Sequence, residues 1–173
     1  DGKIDLFVTG EGTGITRLQI DPGPLSPIQS GTSEPATLTG TTGSDMILGG
    51  EGAEIIQGSD GADIIGDGGG IDTLFGGAGS DTFVLGRDDG LDVIADFQLG
   101  IDRIDLSAWG RVYSLQSLTI TATAPGALLT YGDETLQIIA PNGQPIQPGL
   151  FQLTDFTGLW HVPTPAPDPE NMI

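Results

Sequence analysis

Between residues 40 and 84 a bulky apolar side chain returns at every ninth position: Ile47, Ile56, Ile65, Leu74 and Phe83. An acid stands two places before each of them, at Asp45, Glu54, Asp63, Asp72 and Asp81. This fits neither the 3.6-residue period of a helix nor the plain alternation of a long strand. It fits a short unit of turn plus strand, repeated with one inward residue per unit. The five units read GTTGSDMIL, GGEGAEIIQ, GSDGADIIG, DGGGIDTLF and GGAGSDTFV, or GGxGxDxUx with U bulky and apolar. Two units close one coil, so each row stacks on the row after next. The predicted fold is therefore all-β: a right-handed parallel β-roll of nonapeptide repeats with flanking antiparallel β strands.

The flanks carry other patterns. Residues 1–37 hold two strand-like runs, with Ile4, Leu6 and Val8 in the first and Ile15, Leu18 and Ile20 in the second, followed by a Pro- and Ser-rich linker over 21–36. The roll is expected over 38–109. Its repeats loosen after Leu85, where Asp92 and Asp102 still precede Ile94 and Ile104 by two places and predict two degenerate closing turns. Residues 110–160 predict an antiparallel cap packed on the roll, with strands at 117–123, 127–131, 135–140 and 151–156. A turn of helix is expected near 107–109 or 113–117. The apolar outward positions Met46, Leu48, Ile55, Ile64, Phe75 and Val84 are expected to be covered by the N-terminal strands or by the cap, since such a patch is rarely left open. Residues 161–173 read as a Pro-rich linker or tail. Trp109 is expected in the core and Trp160 as a cap on it, while the lone His161 has no nearby partner for chemistry. The DGKID stretch from Asp1 to Asp5 reads as a plain turn and strand.

The spacing of the acids points to a hard cation. Calcium takes six to eight oxygen ligands from carboxylates and carbonyls. Glycines at the first, second and fourth positions let the turn carbonyls face a common point. Stacking then yields one ladder of Asp45, Asp63, Asp81 and Asp102, and another of Glu54, Asp72 and Asp92. The turn residues offered beside these carboxylates are Gly40, Thr42, Gly49, Glu51, Gly58, Ser59, Asp60, Gly61, Gly68, Gly70, Gly77 and Gly79. The six-oxygen requirement applied to the ladders predicts about three to five Ca2+ ions. Complete sites are expected between Asp45 and Asp63, Glu54 and Asp72, and Asp63 and Asp81. Glu54 in place of Asp, Ser59 in place of the second Gly and Asp67 in place of the first are departures, and mark the ladder of Glu54 and Asp72 as the weaker. Asp88, Asp89, Asp96 and Asp105 read equally as turn caps or ligands.

Charge narrows the partners. The chain of 173 residues carries 24 acids against 5 Lys and Arg, a net charge of −19, with no Cys. Nucleic acid and anionic membranes need basic patches and are not expected as partners. No apolar run reaches the length of a membrane span. Arg87, Arg103 and Arg111 form only a thin basic set. No set of nucleophile and base or catalytic metal ligands is present, and the expected answer on enzymatic activity is no.

The repeats over 38–84 resemble the repeats-in-toxin, or hemolysin-type, calcium-binding family. The following segment, GGAGSDTFVLGRDDGLDVIADFQLGIDRIDLSAW at 76–109, is similar to the closing segment of serralysin-type C-terminal domains and alginate epimerase R modules. The resemblance implies repeat-Asp and carbonyl ligands, here Asp45, Asp63, Asp72 and Asp81 with Glu54 as the variant. It also implies type I secretion and folding outside the cell, on extracellular calcium. The serralysin HExxH is absent. The expectation is a secreted calcium-folding module of a larger exported protein, with the rest of that polypeptide and the secretion machinery as partners. The alternative is a Ca2+-dependent polysaccharide-binding accessory module.

Overall fold

The computed structural model describes residues 5–7, 17–19, 26–88 and 90–159. Ile4, Val8, Ile15, Ile20, Asp1, Asp89, Trp160, His161 and the tail therefore lie outside the described residues. Two short strands, β1 (Asp5–Phe7) and β2 (Arg17–Gln19), pair antiparallel. The roll begins with β3 (Ser26–Ser30) and β4 (Thr37–Thr39) and continues through β5 (Asp45–Leu48), β6 (Ile55–Asp60), β7 (Ile64–Gly66), β8 (Thr73–Ala78) and β9 (Thr82–Val84). It closes with β10 (Leu91–Ile94) and β11 (Arg103–Asp105). Then come β12 (Thr119–Thr123), β13 (Gly126–Tyr131), β14 (Glu134–Ile139) and β15 (Phe156–Thr157).

Successive strands go alternately to two sheets. One runs in the order β12-β13-β14-β10-β8-β6-β4 and the other β15-β11-β9-β7-β5-β3. Register is set by the apolar column, because a slip of one residue would turn each inward side chain to water. In the first sheet Leu38, Ile56, Leu74, Ile94 and Ile138 stack in register. In the second, Ile47, Ile65, Phe83, Ile104 and Phe156 do the same. From Ile47 to Ile104 the roll's stacked residues are 0 % exposed. At roughly 1.5–3 kcal/mol per buried side chain, two facing columns make a thin but continuous core.

The coil is longer by two or three residues after Val84: the ladder interval grows from 18 to 20 and 21. The extra residues go into the turns, and one of them fills the core. Phe97 is fully buried, with its ring 6.3 Å from that of Phe83. The two degenerate closing turns thus stack as expected.

Three findings differ from the sequence reading. Ser26–Ser30 is strand rather than linker, and residues 31–39 form a further turn and strand of the roll. Nothing at Ala36 marks that row as acidic, although Leu38 lies nine residues before Ile47. The expected strand at 151–156 is instead a 3-10 turn over Leu153–Asp155 followed by β15. The Asp155 carboxylate accepts from the Gln152 amide (2.7 Å) and the Gly100 amide (3.2 Å), a tertiary contact that overrides the local pattern. Finally, β14 pairs in parallel with β10, so the antiparallel hairpins lengthen a sheet of the roll rather than lie across its face. Most of the outward apolar residues are nonetheless partly covered. Ile55 is 44 % exposed, and Met46, Leu48, Ile64, Phe75 and Val84 are half-buried outside the core cluster. Trp109 is buried as expected, and 3-10 turns occupy Ser107–Trp109 and Leu115–Ser117.

Candidate metal centre

Each ladder acid lies within the first two residues of a strand or just before one, at the mouth of a turn. Its neighbour in the ladder is the acid one coil away. The contact between them follows one rule: the backbone N–H of one acid donates to a carboxylate oxygen of the next. Asp45 donates to Asp63 Oδ1 (2.7 Å), Asp63 to Asp81 (2.9 Å) and Asp81 to Asp102 (3.1 Å). On the other side Glu54 donates to Asp72 (2.6 Å) and Asp72 to Asp92 (2.9 Å). All seven acids are buried, at no more than 5 % exposed.

One oxygen of each accepting carboxylate, at Asp63, Asp72, Asp81, Asp92 and Asp102, is thereby satisfied, and Glu54 Oε2 accepts from the Gly50 amide at 3.0 Å. The remaining oxygens fall into two groups. Asp45 Oδ2 accepts from the Thr41 amide (2.5 Å) and hydroxyl (3.0 Å), and Asp102 Oδ2 from the Gln98 amide (2.7 Å). Four of the ladder acids have an oxygen with no such partner. Glu54 Oε1, Asp63 Oδ2, Asp72 Oδ2 and Asp81 Oδ2 are buried and make no hydrogen bond. A buried carboxylate oxygen left without a donor is costly, several kcal/mol where the group stays charged. A hard cation relieves that cost, so the residues present fit calcium.

Side chains alone do not complete a site. Among the described residues no three His, Cys, Asp or Glu gather closely enough to hold a metal. Carbonyls have to supply the remaining oxygens, and the turns bring them close. Gly79 has φ +144°, and a Cβ there would lie 1.5 Å from the Gly61 carbonyl oxygen. The same overlap, 2.0 Å, separates a Cβ on Gly70 from Gly52 O. Only glycine allows coils to approach so closely. Ser59 adopts φ 87° without that freedom, the one such non-glycine among the described residues.

The candidate turn residues Gly40, Thr42, Gly49, Glu51, Gly58, Ser59, Asp60, Gly61, Gly68, Gly70, Gly77 and Gly79 all lie in these turns or at the strand ends that border them. Some of their polar groups are already engaged. The Gly40 amide donates to Gln57 O, the Gly49 amide to Gly66 O, and Gly77 O accepts from Gln98 Nε2 at 2.7 Å. Asp96 and Asp88 cap amides beside the ladders, where their charges add to burial in raising the carboxyl pKa of Asp81 and Asp102, and of Asp72 and Asp92, respectively. Asp96 accepts from Gly76 and Gly77, both at 2.9 Å, while Asp88 accepts from Gly70 (2.6 Å) and Gly90 (2.9 Å). Asp105 accepts from the Ser107 amide. Sequence reasoning missed Asp67, which is 1 % exposed, with its Oδ2 also unpartnered. Beyond the ladders, buried Glu134 accepts from Arg87 Nε at 3.1 Å, a protein cation at the end of the acidic column.

Burial is the main cause of raised carboxyl pKa values along both ladders. From an ordinary 3.8, Asp63, Asp92 and Asp102 are pushed to about 6, and Asp72 and Asp67 to about 7. Asp81 is raised for the same reason. Backbone amides pull the other way, and neighbouring carboxylates add to the rise, as Asp81 and Asp45 do for Asp63. The metal-free folded state thus binds protons that the unfolded chain has released. Its stability is greatest below about 3.8 and is lost as pH rises through about 6 to 7. Cations compete with those protons, so calcium binding should release them. At about pH 5.5 the metal-free roll is therefore expected to keep more β structure than at about pH 7.5, and to need more calcium to reach its binding midpoint. Titrations in buffers of different ionisation heat measure the released protons, and a pH-independent midpoint would contradict this account.

The RTX calcium-binding nonapeptide repeat model matches residues 30–65 and 57–91. The match begins in the row that has Ala36 where the others have the ladder acid. Among solved structures, the chain resembles the R3 subunit of the mannuronan C5-epimerase AlgE6 from Azotobacter vinelandii, with TM-score 0.56 and 25 % identity over 80 % of this chain and 86 % of that one. The R2 subunit of the same enzyme matches at TM-score 0.56 and 23 % identity, covering 79 % and 94 %. No curated protein gives a significant match.

Proposed function

We propose that this calcium-binding RTX module serves as a metal-dependent folding unit of a larger exported protein, folding and gaining stability on Ca2+ outside the cell after type I secretion. The observation that carries the reading is the run of unpartnered inner carboxylate oxygens at Glu54, Asp63, Asp72 and Asp81. Bound calcium would neutralise these ladders and tie adjacent coils together. The protein's own residues do the rest. Asp45, Asp63 and Asp81 with Asp102, and Glu54 and Asp72 with Asp92, are the proposed carboxylate ligands. In Asp63, Asp72, Asp81, Asp92 and Asp102 an Oδ1 already held by a backbone amide fixes the carboxylate in place. The turn carbonyls complete the shell. Asp45 and Asp102 already have partners in Thr41 and Gln98, so the unpartnered oxygens of Glu54, Asp63, Asp72 and Asp81 are where the ions are proposed to bind.

Calorimetric titration with calcium tests this. The expected result is about three to five ions per chain and weak competition from magnesium, which keeps its waters. A flat titration would dismiss the reading. The export step is tested separately, by fusing the chain to a reporter in a host with and without a type I exporter.

A second reading, calcium-dependent polysaccharide binding, draws on the likeness to subunits of a mannuronan epimerase. It also draws on a hollow of about 210 Å³ with an apolar floor of Phe97, Leu99 and Leu150 beside the amides of Asn142 and Gln144. Saturable binding of a uronic-acid polymer with calcium present would favour it.

A further inference from the structure

We propose that β12 is a self-association strand, pairing antiparallel with β12 of a second copy about a twofold axis through Thr121. Four strands end the two sheets: β4 and β3 at one end of the roll, β12 and β15 at the other. An end strand leaves a row of N–H and C=O groups open, and proteins guard such edges with short strands, proline, charge or a cover. Here β15 has only two residues. Strand β3 contains Pro27, which has no N–H to offer, and its register with β5 is broken. On β4 the side-chain amide of Gln29 stands in for a further strand. Its Oε1 accepts from the Thr39 amide (3.1 Å) and its Nε2 donates to the Thr39 carbonyl (2.5 Å).

Strand β12 carries none of these guards. Its sequence, TITAT, is uncharged and free of proline, and all but Ala122 are β-branched, which suits a strand. Among the described residues no strand pairs with its outer side. The order of its residues names the occupant. Threonine stands at both ends and at the centre, so an antiparallel copy in register about Thr121 sets Thr121 against its own mate. Thr119 then meets Thr123 of the second copy, and Ile120 meets Ala122 of the second copy. Threonine pairs are favourable across antiparallel strands, and a large residue beside a small one fills the other face. Because each copy offers the same strand, the interface closes as a dimer. Pairing with β13 and, through β14, with β10 holds β12 in place for it.

Charge favours the same end. Of the chain's 24 acids, residues 106–154 hold only Asp133 and Glu134, and their one base is Arg111. Two acids against one base leave this stretch at −1 in a chain of −19. Glu134, moreover, is buried against Arg87. Two copies meeting through the roll would bring their acids together, whereas through β12 they meet at the nearly neutral end. Exposed Leu150, on the 3-10 turn Pro148–Leu150 near β12, adds an apolar neighbour.

Sedimentation velocity on the full chain at saturating calcium, across the micromolar range, tests this. Wild type is expected to pass from one chain to two as concentration rises. Thr121→Lys and Thr121→Glu place like charges on the axis and are expected to weaken the dimer at least about tenfold, although they move the net charge in opposite directions. Thr121 is exposed, so both variants should fold, which circular dichroism checks. Thr37→Lys, on the opposite edge strand of the same sheet, is expected to change nothing. A second readout gains a bond instead of losing one. The chain has no Cys, so Thr121→Cys with oxidised glutathione should give a disulfide-linked dimer, whereas Thr37→Cys should not. A wild type that stays monomeric would overturn the proposal, as would a dimer indifferent to both Thr121 charges and not trapped by Thr121→Cys. Either result leaves the calcium titration, and the reading it tests, untouched.

Discussion

In excess EDTA the roll from residue 31 to 105 is expected to lose its β structure, and millimolar calcium is expected to restore it. The physical reason lies in the two ladders. Strands in a sheet lie about 4.8 Å apart, which brings stacked carboxylates within roughly 5–10 Å of each other. Each such like-charged pair costs on the order of 1–3 kcal/mol at effective dielectrics between about 80 and 20. The inner oxygens have no donor to offset their burial. Glycine-rich turns add an ordering cost of about 0.5–1 kcal/mol per glycine relative to alanine. Against this stands one inward side chain per nine residues, and a domain's net stability is only about 5–15 kcal/mol. Metal-binding energy must therefore act as folding energy. Far-UV circular dichroism and amide exchange at Ile56, Ile65, Leu74 and Phe83 measure it. A spectrum unmoved by EDTA would refute the central claim.

Asp63→Ala is expected to be the most damaging single change in the ladders. Asp63 lies between Asp45 and Asp81 and is proposed to serve the ions on both sides. Its Oδ1 also holds the Asp45 amide at 2.7 Å. Truncation would leave that buried N–H unsatisfied, at a cost of about 1–3 kcal/mol, and would open two coordination shells at once. The expected result is a loss of two ions in calorimetry and a rise of at least about tenfold in the calcium needed for half-folding. Asp45→Ala opens one shell at a ladder end, where Thr41 already shares the load, and should lose one ion at most. Equal effects from the two changes would show that Asp63 is not shared.

The roll was legible because its two signals share one period. Ile47, Ile56, Ile65, Leu74 and Phe83 fix the inward face, and the acids two places before them fix the ladders. Both signals survive the longer turns, so Asp92 and Asp102 stack as the spacing implies. What stayed hidden lacked one signal or depended on distant pairing. The row at 31–39 has the apolar mark at Leu38 but Ala36 where the acid belongs. The parallel pairing of β14 with β10 joins residues more than forty apart, which no local pattern announces. Asp67 looked like a blemish in the motif because its partner, the Gly86 amide, comes from the next coil.

The apolar columns return to the same sheet every eighteen residues in the regular part of the coil, while each nonapeptide carries the chain to the opposite sheet. Length can therefore change in whole windings without disturbing either end. An insertion or deletion of a single nonapeptide would still leave every side chain facing correctly, yet it would bring the chain to its C-terminal hairpins on the wrong side. Growth by pairs of repeats, and never by one, is the arithmetic this architecture imposes on its own evolution and on anyone who would redesign it.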